Sequence, residues 1–183
     1  MQLASLSGMK HGQWNTLTKL ATAMVVAAAE ANAEERRGRT ECLLGDRIVI
    51  SIPDRKLVLM NGDRAVRVYD VAVGKASTPS PEGEFRIINR IPNPAWYTVG
   101  KVVAPGKGNP LGTRWMGLSA RSYGIHGTNA PKSIGKAASH GCIRMRAEDL
   151  EELFDLVSVG VVVEIRGERP EILARILDRA VTE

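Results

Sequence analysis

The sequence predicts a mainly β domain, with one helix after Cys142 and a second helix at the C-terminus. Three observations carry that prediction. Ile48, Ile50 and Ile52 alternate with Val49 and Ser51, the two-residue period of a half-buried strand. Asn61-Gly62 follows an apolar stretch and precedes another, a strong hairpin signal because both residues accept positive φ. A 3.6-residue period appears only late, where Leu150, Leu153, Phe154 and Val157 fall on one helical face.

The elements follow in order. Residues 47–52 read as a strand, Pro53-Asp54-Arg55 as a turn and residues 56–60 as a second strand, with residues 64–73 completing a meander. Two stretches rich in Pro and Gly, 74–85 and 91–112, read as irregular. Loops that long inside a compact domain more often form a binding surface than filler. Between and after them, residues 84–90, 114–118 and 123–126 are further strands. The helix from about Ala147 carries Glu148, Asp149, Glu151 and Glu152 in its first turns, favoured by the dipole, and Gly160 is expected to end it. Residues 161–165 read as a buried strand. Pro170 then opens a last amphipathic helix with Ile172, Leu173, Ile176 and Leu177 on one side.

A chain of 183 residues suits one domain with a sizeable core. Its formal charge of +5 suits a polyanionic partner: nucleic acid, anionic lipid or a carboxylate-rich wall polymer. The basic residues are scattered and there are only two Phe, so no strip for base stacking exists and nucleic acid is not the expected partner. The first 33 residues have the order of a secretory signal: Lys10 and Lys19, an apolar run over 20–29, then Ala31-Asn32-Ala33 as a cleavage site. That run is far shorter than the roughly 20 residues a membrane span needs, so no stable span is expected. The rival reading is an Ala-rich amphipathic helix of the mature domain. A start at Met9 would give a leader of more usual length. Loss of residues 1–33 would leave a net charge of +4, so the basic character belongs to the domain. The expected organisation is a signal peptide at 1–33, a short leader at 34–44, a domain at 45–166 and a terminal helix at 167–183.

The stretch "SHGCIRM", residues 139–145, gathers most of the candidate chemistry. A free thiol with pKa about 8.5 is only slightly ionised at neutral pH, so a nucleophilic Cys142 needs a base, and an imidazole is expected to ionise it. Without the leader, His126 and His140 are the two histidines that remain. His140 lies two residues from Cys142 on the same side of an extended segment. His126 sits in "GIHGT", where flanking glycines allow close backbone approach. Spacing leaves the choice between them open. Gly141 lets the chain turn its amides toward a developing oxyanion, and Arg144 is close enough to hold a substrate carboxylate. His126, His140 and Cys142 are also three N/S donors, the number in a catalytic zinc site, but their spacing matches no short-spaced ligand pair, and no metal is expected. Read blandly, Cys142 is a small buried hydrophobe. Cys42 lacks activating company and reads as structural; an oxidising compartment would allow it to pair with Cys142.

The segment "YGIHGTNAPKSIGKAASHGCIRMRAEDLEELFDLVSVGVVVEI" resembles the catalytic core of the L,D-transpeptidases (YkuD type), which remodel bacterial peptidoglycan. "TPSPEGEF" and "NPLGTRWMGLS" also look like motifs of that family, so the resemblance covers roughly residues 45–166. It implies a β-sandwich with few helices and no cofactor. It implies Cys142 as nucleophile and His126 as general base, with the Gly127 carbonyl orienting the imidazole. The amides of Gly141 and Cys142 would form the oxyanion hole with His140 beside it, and Arg144 with Ser139 would face the substrate. The implied reaction joins two peptidoglycan tetrapeptide stems, donor and acceptor, in a 3→3 cross-link through a cysteinyl thioester, releasing D-Ala. Carbapenems would be expected to acylate Cys142, and the protein would be exported to the periplasm or cell wall. Water as acceptor would give an L,D-carboxypeptidase, and an outer-membrane lipoprotein an anchoring enzyme. A wall-binding domain without turnover is the non-enzyme alternative, although no catalytic position is substituted. Trp96, Trp115 and Tyr123 are candidates for a groove wall or for core.

Overall fold

The computed structural model describes residues 25–30, 34 and 44–181, with side chains in the last helix through Ile176. The chain divides into two units, residues 1–42 and 43–183. In the first, residues 25–30 are helical and exposed. The rest of the expected signal and leader, and Cys42, lie outside the described residues except for the helical Glu34 and for Leu44.

The second unit opens with the expected meander: β1 (Arg47–Ser51), β2 (Lys56–Asn61) and β3 (Arg64–Asp70), paired antiparallel. Then come β4 (Val73–Gly74), the long β5 (Gly83–Pro92), a hairpin of β6 (Trp96–Thr98) and β7 (Lys101–Val103), β8 (Arg114–Leu118), β9 (Gly124–His126), β10 (Ala137–Ser139) and β11 (Ile143–Arg144). Helix α1 (Ala147–Leu156), β12 (Val162–Arg166) and helix α2 (Glu171–Val181) complete the chain. Eight strands form one curled sheet in the order β11-β9-β8-β5-β12-β1-β2-β3. The two layers expected of a sandwich are therefore halves of one sheet, joined through β5. Residues 83–86 of β5 pair with β12, while residues 87–92 pair with β8 after a register shift between Ile87 and Asn89.

Between the halves lies the main core, with Ile48, Ile50, Leu57, Leu59, Ile87, Met116, Ile125, Ile143 and Met145 buried together with Leu150 and Leu153 of α1. The opposite faces of β1 and β2 are also covered. Val49, Val58 and Met60 pack with the fully buried Leu173 of α2. This corrects the half-buried reading of residues 47–52: α2 shields the second face, so both faces are apolar.

Three boundaries differ from expectation. The third strand stops at Asp70 instead of reaching residue 73: Val71 still donates to the Arg55 carbonyl, but Arg55 (φ 55°) belongs to the turn before β2, so β2 offers no partner further on and β4 pairs with β10 instead. Helix α1 ends at Leu156, with Val157 extended, whereas Gly160 (φ 95°) makes the turn into β12. The 91–112 stretch contains the β6–β7 hairpin, whose short strands carry no clear alternation.

Candidate active site

The floor of the site is one transverse row across four strands. Ile91 of β5 pairs with Trp115 of β8, Trp115 with His126 of β9, and His126 with Arg144 of β11. Cross-strand partners present their side chains on the same face. All four line a cavity of about 580 Å³, together with Ser122, Ser139, His140, Cys142, Trp96 and Tyr97.

His126 is buried, and its Nδ1 stands 2.7 Å from the carbonyl oxygen of Gly127. A carbonyl only accepts, so Nδ1 carries the proton and Nε2 is left as the acceptor. Gly127 is itself held, its N–H donating to the Leu111 carbonyl at 2.8 Å. The loop bearing Leu111 approaches so closely that a Cβ on Gly112 would lie 2.8 Å from Gly127 Cα. Asn109, nearly fully buried, ties that loop down: its Nδ2 donates to the Pro94 carbonyl at 2.8 Å and its Oδ1 accepts the Leu111 N–H at 2.8 Å.

Cys142 follows a glycine at which any side chain would be strained. Gly141 has φ 110°, and a Cβ there would meet the Tyr123 ring at 2.5 Å. The thiol is a free thiol, partly exposed, and lies 3.7 Å from the carbonyl oxygen of Ser122, itself in the left-handed region at φ 69°. Ser139 fixes the loop from inside. Its hydroxyl donates to the Cys142 carbonyl at 2.6 Å and accepts the Gly141 N–H at 3.0 Å. Its own carbonyl accepts from Lys75 N–H at 3.1 Å and from the Thr78 hydroxyl at 3.2 Å.

The L,D-transpeptidase catalytic domain of the YkuD family matches residues 45–165. This chain belongs to that family. The YkuD protein of Bacillus licheniformis is 48% identical over 119 residues, covering 65% of this chain and 64% of the relative. The chain thus spans less than two-thirds of that relative's length. Among solved structures, the catalytic domain of the Enterococcus faecium L,D-transpeptidase is similar in fold, at TM-score 0.55 and 23% identity, covering 66% of this chain and 96% of that one. L,D-transpeptidase 3 of Mycobacterium tuberculosis, solved with a faropenem-derived adduct, is similar at TM-score 0.52 and 19% identity, covering 66% and 59%.

Within this L,D-transpeptidase domain the electrostatics set the resting state. Burial lowers the His126 pKa to about 4, outweighing the Gly127 contact that raises it, and the nearby Arg144 lowers it further. Burial likewise pushes the Cys142 thiol up, against a backbone hydrogen bond at Gly124 and the Arg144 charge, both of which lower it. Both shifts favour the neutral forms, imidazole and thiol. Desolvation disfavours both charged forms, so the surroundings do not hold either group ionised before a substrate arrives.

Two further expected residues of the YkuD-family site are engaged within the loop itself. Ser139, expected to face substrate, borders the cavity but is fully buried, and its hydroxyl is engaged inside the loop, where it positions Cys142. The Gly141 amide, expected in an oxyanion hole, is donated to that same hydroxyl. His140 is exposed at the cavity wall. Trp96 and Trp115 line the cavity, whereas Tyr123 lies against Gly141. Among the described residues, no three metal-ligating side chains come together as a site, and no helix is long and apolar enough to cross a membrane. Sequence reading missed Asn109 and Thr78 as supports. Both lie in the quoted stretches "NPLG" and "TPSP", which were recognised as motifs without a physical role.

Proposed function

We propose that this chain is a cysteine-dependent peptidoglycan L,D-transpeptidase that forms 3→3 cross-links between stem peptides. One observation carries the reading: Cys142, the Nε2-accepting ring of His126 and the Arg144 guanidinium share one cavity large enough for a peptide stem. The donor is a tetrapeptide stem whose carboxylate Arg144 holds.

Because thiol and imidazole rest neutral, proton transfer and attack coincide. The Cys142 proton passes to His126 Nε2 as the sulfur bonds to the carbonyl carbon of the third, diamino acid residue. The Cys142 N–H faces the developing oxyanion beside His140, and Gly141 contributes only if its bond to Ser139 Oγ is released. Collapse of the adduct breaks the C–N bond, and His126 returns the proton to the departing D-Ala amine. A thioester remains. The side-chain amine of a second stem then attacks it, giving the amide cross-link and restoring the thiol.

The apolar run and cleavage pattern at 1–33, together with the family's action on peptidoglycan, support an exported, wall-facing location. The faropenem-derived adduct on the M. tuberculosis neighbour and the imipenem complex of the similar L,D-transpeptidase LdtMt1 support β-lactams, carbapenems included, as acylating inhibitors here. The test is intact-mass analysis of the protein mixed with a tetrapeptide stem or a carbapenem. A covalent adduct on wild type and none on Cys142→Ser supports the acyl-enzyme. Absence of both adduct and released D-Ala would remove the proposal. The product then identifies the acceptor: a cross-linked dimer, a free tripeptide or a tagged lipoprotein.

A further inference from the structure

Asn89 lies outside the chemistry described above, on an exposed position of β5. The register shift between Ile87 and Asn89 turns its side chain to a double task. Its Oδ1 accepts the Gly117 N–H at 3.2 Å, in place of a ladder carbonyl, and the Trp115 Nε1–H at 3.1 Å. Trp115 in turn stacks on His126, ring centroids 5.6 Å apart and planes 25° from parallel.

The indole has a slot made for it. Gly117 and Gly124 are cross-strand partners on the face that carries Trp115 and His126. A Cβ on Gly124 would meet the indole at 2.6 Å, and one on Gly117 would meet Asn89 Oδ1 at 2.6 Å and Trp115 Nε1 at 3.0 Å. Two glycines thus let the ring lie flat across the sheet, and Asn89 pins its far edge. Without that pin the indole is free to swing over the glycines, and the ring it covers is open to water.

We infer that Asn89 is a positioning residue for the base His126, acting through Trp115, whose pinned indole fixes the imidazole plane and keeps water from that face. This rests on the assignment of His126 as base. The charged or titratable groups that line the cavity with His126 are Arg144 on β11, Cys142 and His140 on the preceding loop and Tyr97 on β6, while β5 and β8 present Ile91 and Trp115, neither of which titrates, with Asn89 bonded to the indole of Trp115. A change at Asn89 therefore alters solvation and orientation without removing a charge.

The experiment follows His126 by NMR from pH 8 to pH 4, and the rate of carbapenem acylation over the same range, in wild type, Asn89→Ala and Trp115→Phe. Asn89 is exposed, so its truncation leaves no core cavity, and Trp115→Phe keeps a stacked ring while deleting the pinned N–H. Both variants are expected to titrate His126 about one pH unit higher, as the ring gains water. Acylation is expected to slow by about tenfold, its acidic limb moving with the titration. The inference is overturned if both variants keep the wild-type titration, whether or not the rate falls, since general loosening would slow the reaction without moving the ring's protonation. A wild-type protein that forms no adduct would instead defeat the transpeptidase reading, and the NMR titration would still decide the role of Asn89.

Discussion

His126 Nδ1 lies 2.7 Å from the carbonyl oxygen of Gly127, the next residue in its own chain. A backbone carbonyl thus does what a carboxylate does in many Cys-His or Ser-His arrangements: it fixes the tautomer. It brings no negative charge, so its hydrogen bond offsets burial only in part, and the pKa of the imidazole falls to about 4.

That neutrality predicts the pH profile of acylation. A base with pKa about 4 is competent throughout the neutral range, so the rate should rise through about pH 4 and be flat by pH 6. The thiol, pushed up by burial, should react slowly with iodoacetamide at pH 7 compared with a free cysteine. A rate that instead rises through pH 6.5, with fast alkylation, would indicate a pre-formed ion pair.

Stability should respond to acid through the same ring. Between pH 6.5 and about 4 the unfolded chain binds a proton at His126 that the folded chain refuses, so stability rises with pH across that window. The loss on acidification is on the order of 3 kcal/mol, complete near pH 4. Urea unfolding at pH 7 and pH 4.5 should differ less in His126→Gln than in wild type.

Gly141→Ala should fail for geometric reasons. At φ 110° an alanine is strained, and its Cβ would lie 2.5 Å from the Tyr123 ring and 3.0 Å from the Pro79 carbonyl oxygen. A cost of about 2–4 kcal/mol is expected, with acylation lost even where the protein remains folded. Circular dichroism melting and intact-mass analysis separate the two effects.

Ser139→Ala removes the bond that holds the Cys142 carbonyl and the acceptor of the Gly141 N–H. The expected cost is about 1–3 kcal/mol for the buried groups left unpaired. Acylation should fall by about tenfold because the nucleophile is misplaced while its chemistry is unchanged. Normal acylation in this variant would show that the loop is held by Thr78 and Lys75 alone.

Leu173→Ala should act on stability and spare the site. Leu173 is fully buried against Val49, Val58 and Met60, on the sheet face away from the main core. Truncation should cost about 2–5 kcal/mol, while the acylation rate of the remaining folded protein stays at wild type. A slower rate at full folding would mean that α2 reaches the site.

The sequence by itself determined the β meander, the helix after Cys142 and the terminal helix, because periods of 2 and 3.6 are local properties of side-chain direction. It also determined that Cys142 and a histidine were the candidate pair, since beyond residue 33 there are only two histidines, both close in sequence to the thiol. Tertiary structure decided the rest. Strand β1 reads as half-buried until α2, more than a hundred residues later, covers its second face. His126 and Arg144 become neighbours through strand register, and register depends on long-range pairing that no short window contains. The neutral resting state has the same origin. Which groups lose water is decided by everything that packs over them, and for His126 that is an indole held from a third strand.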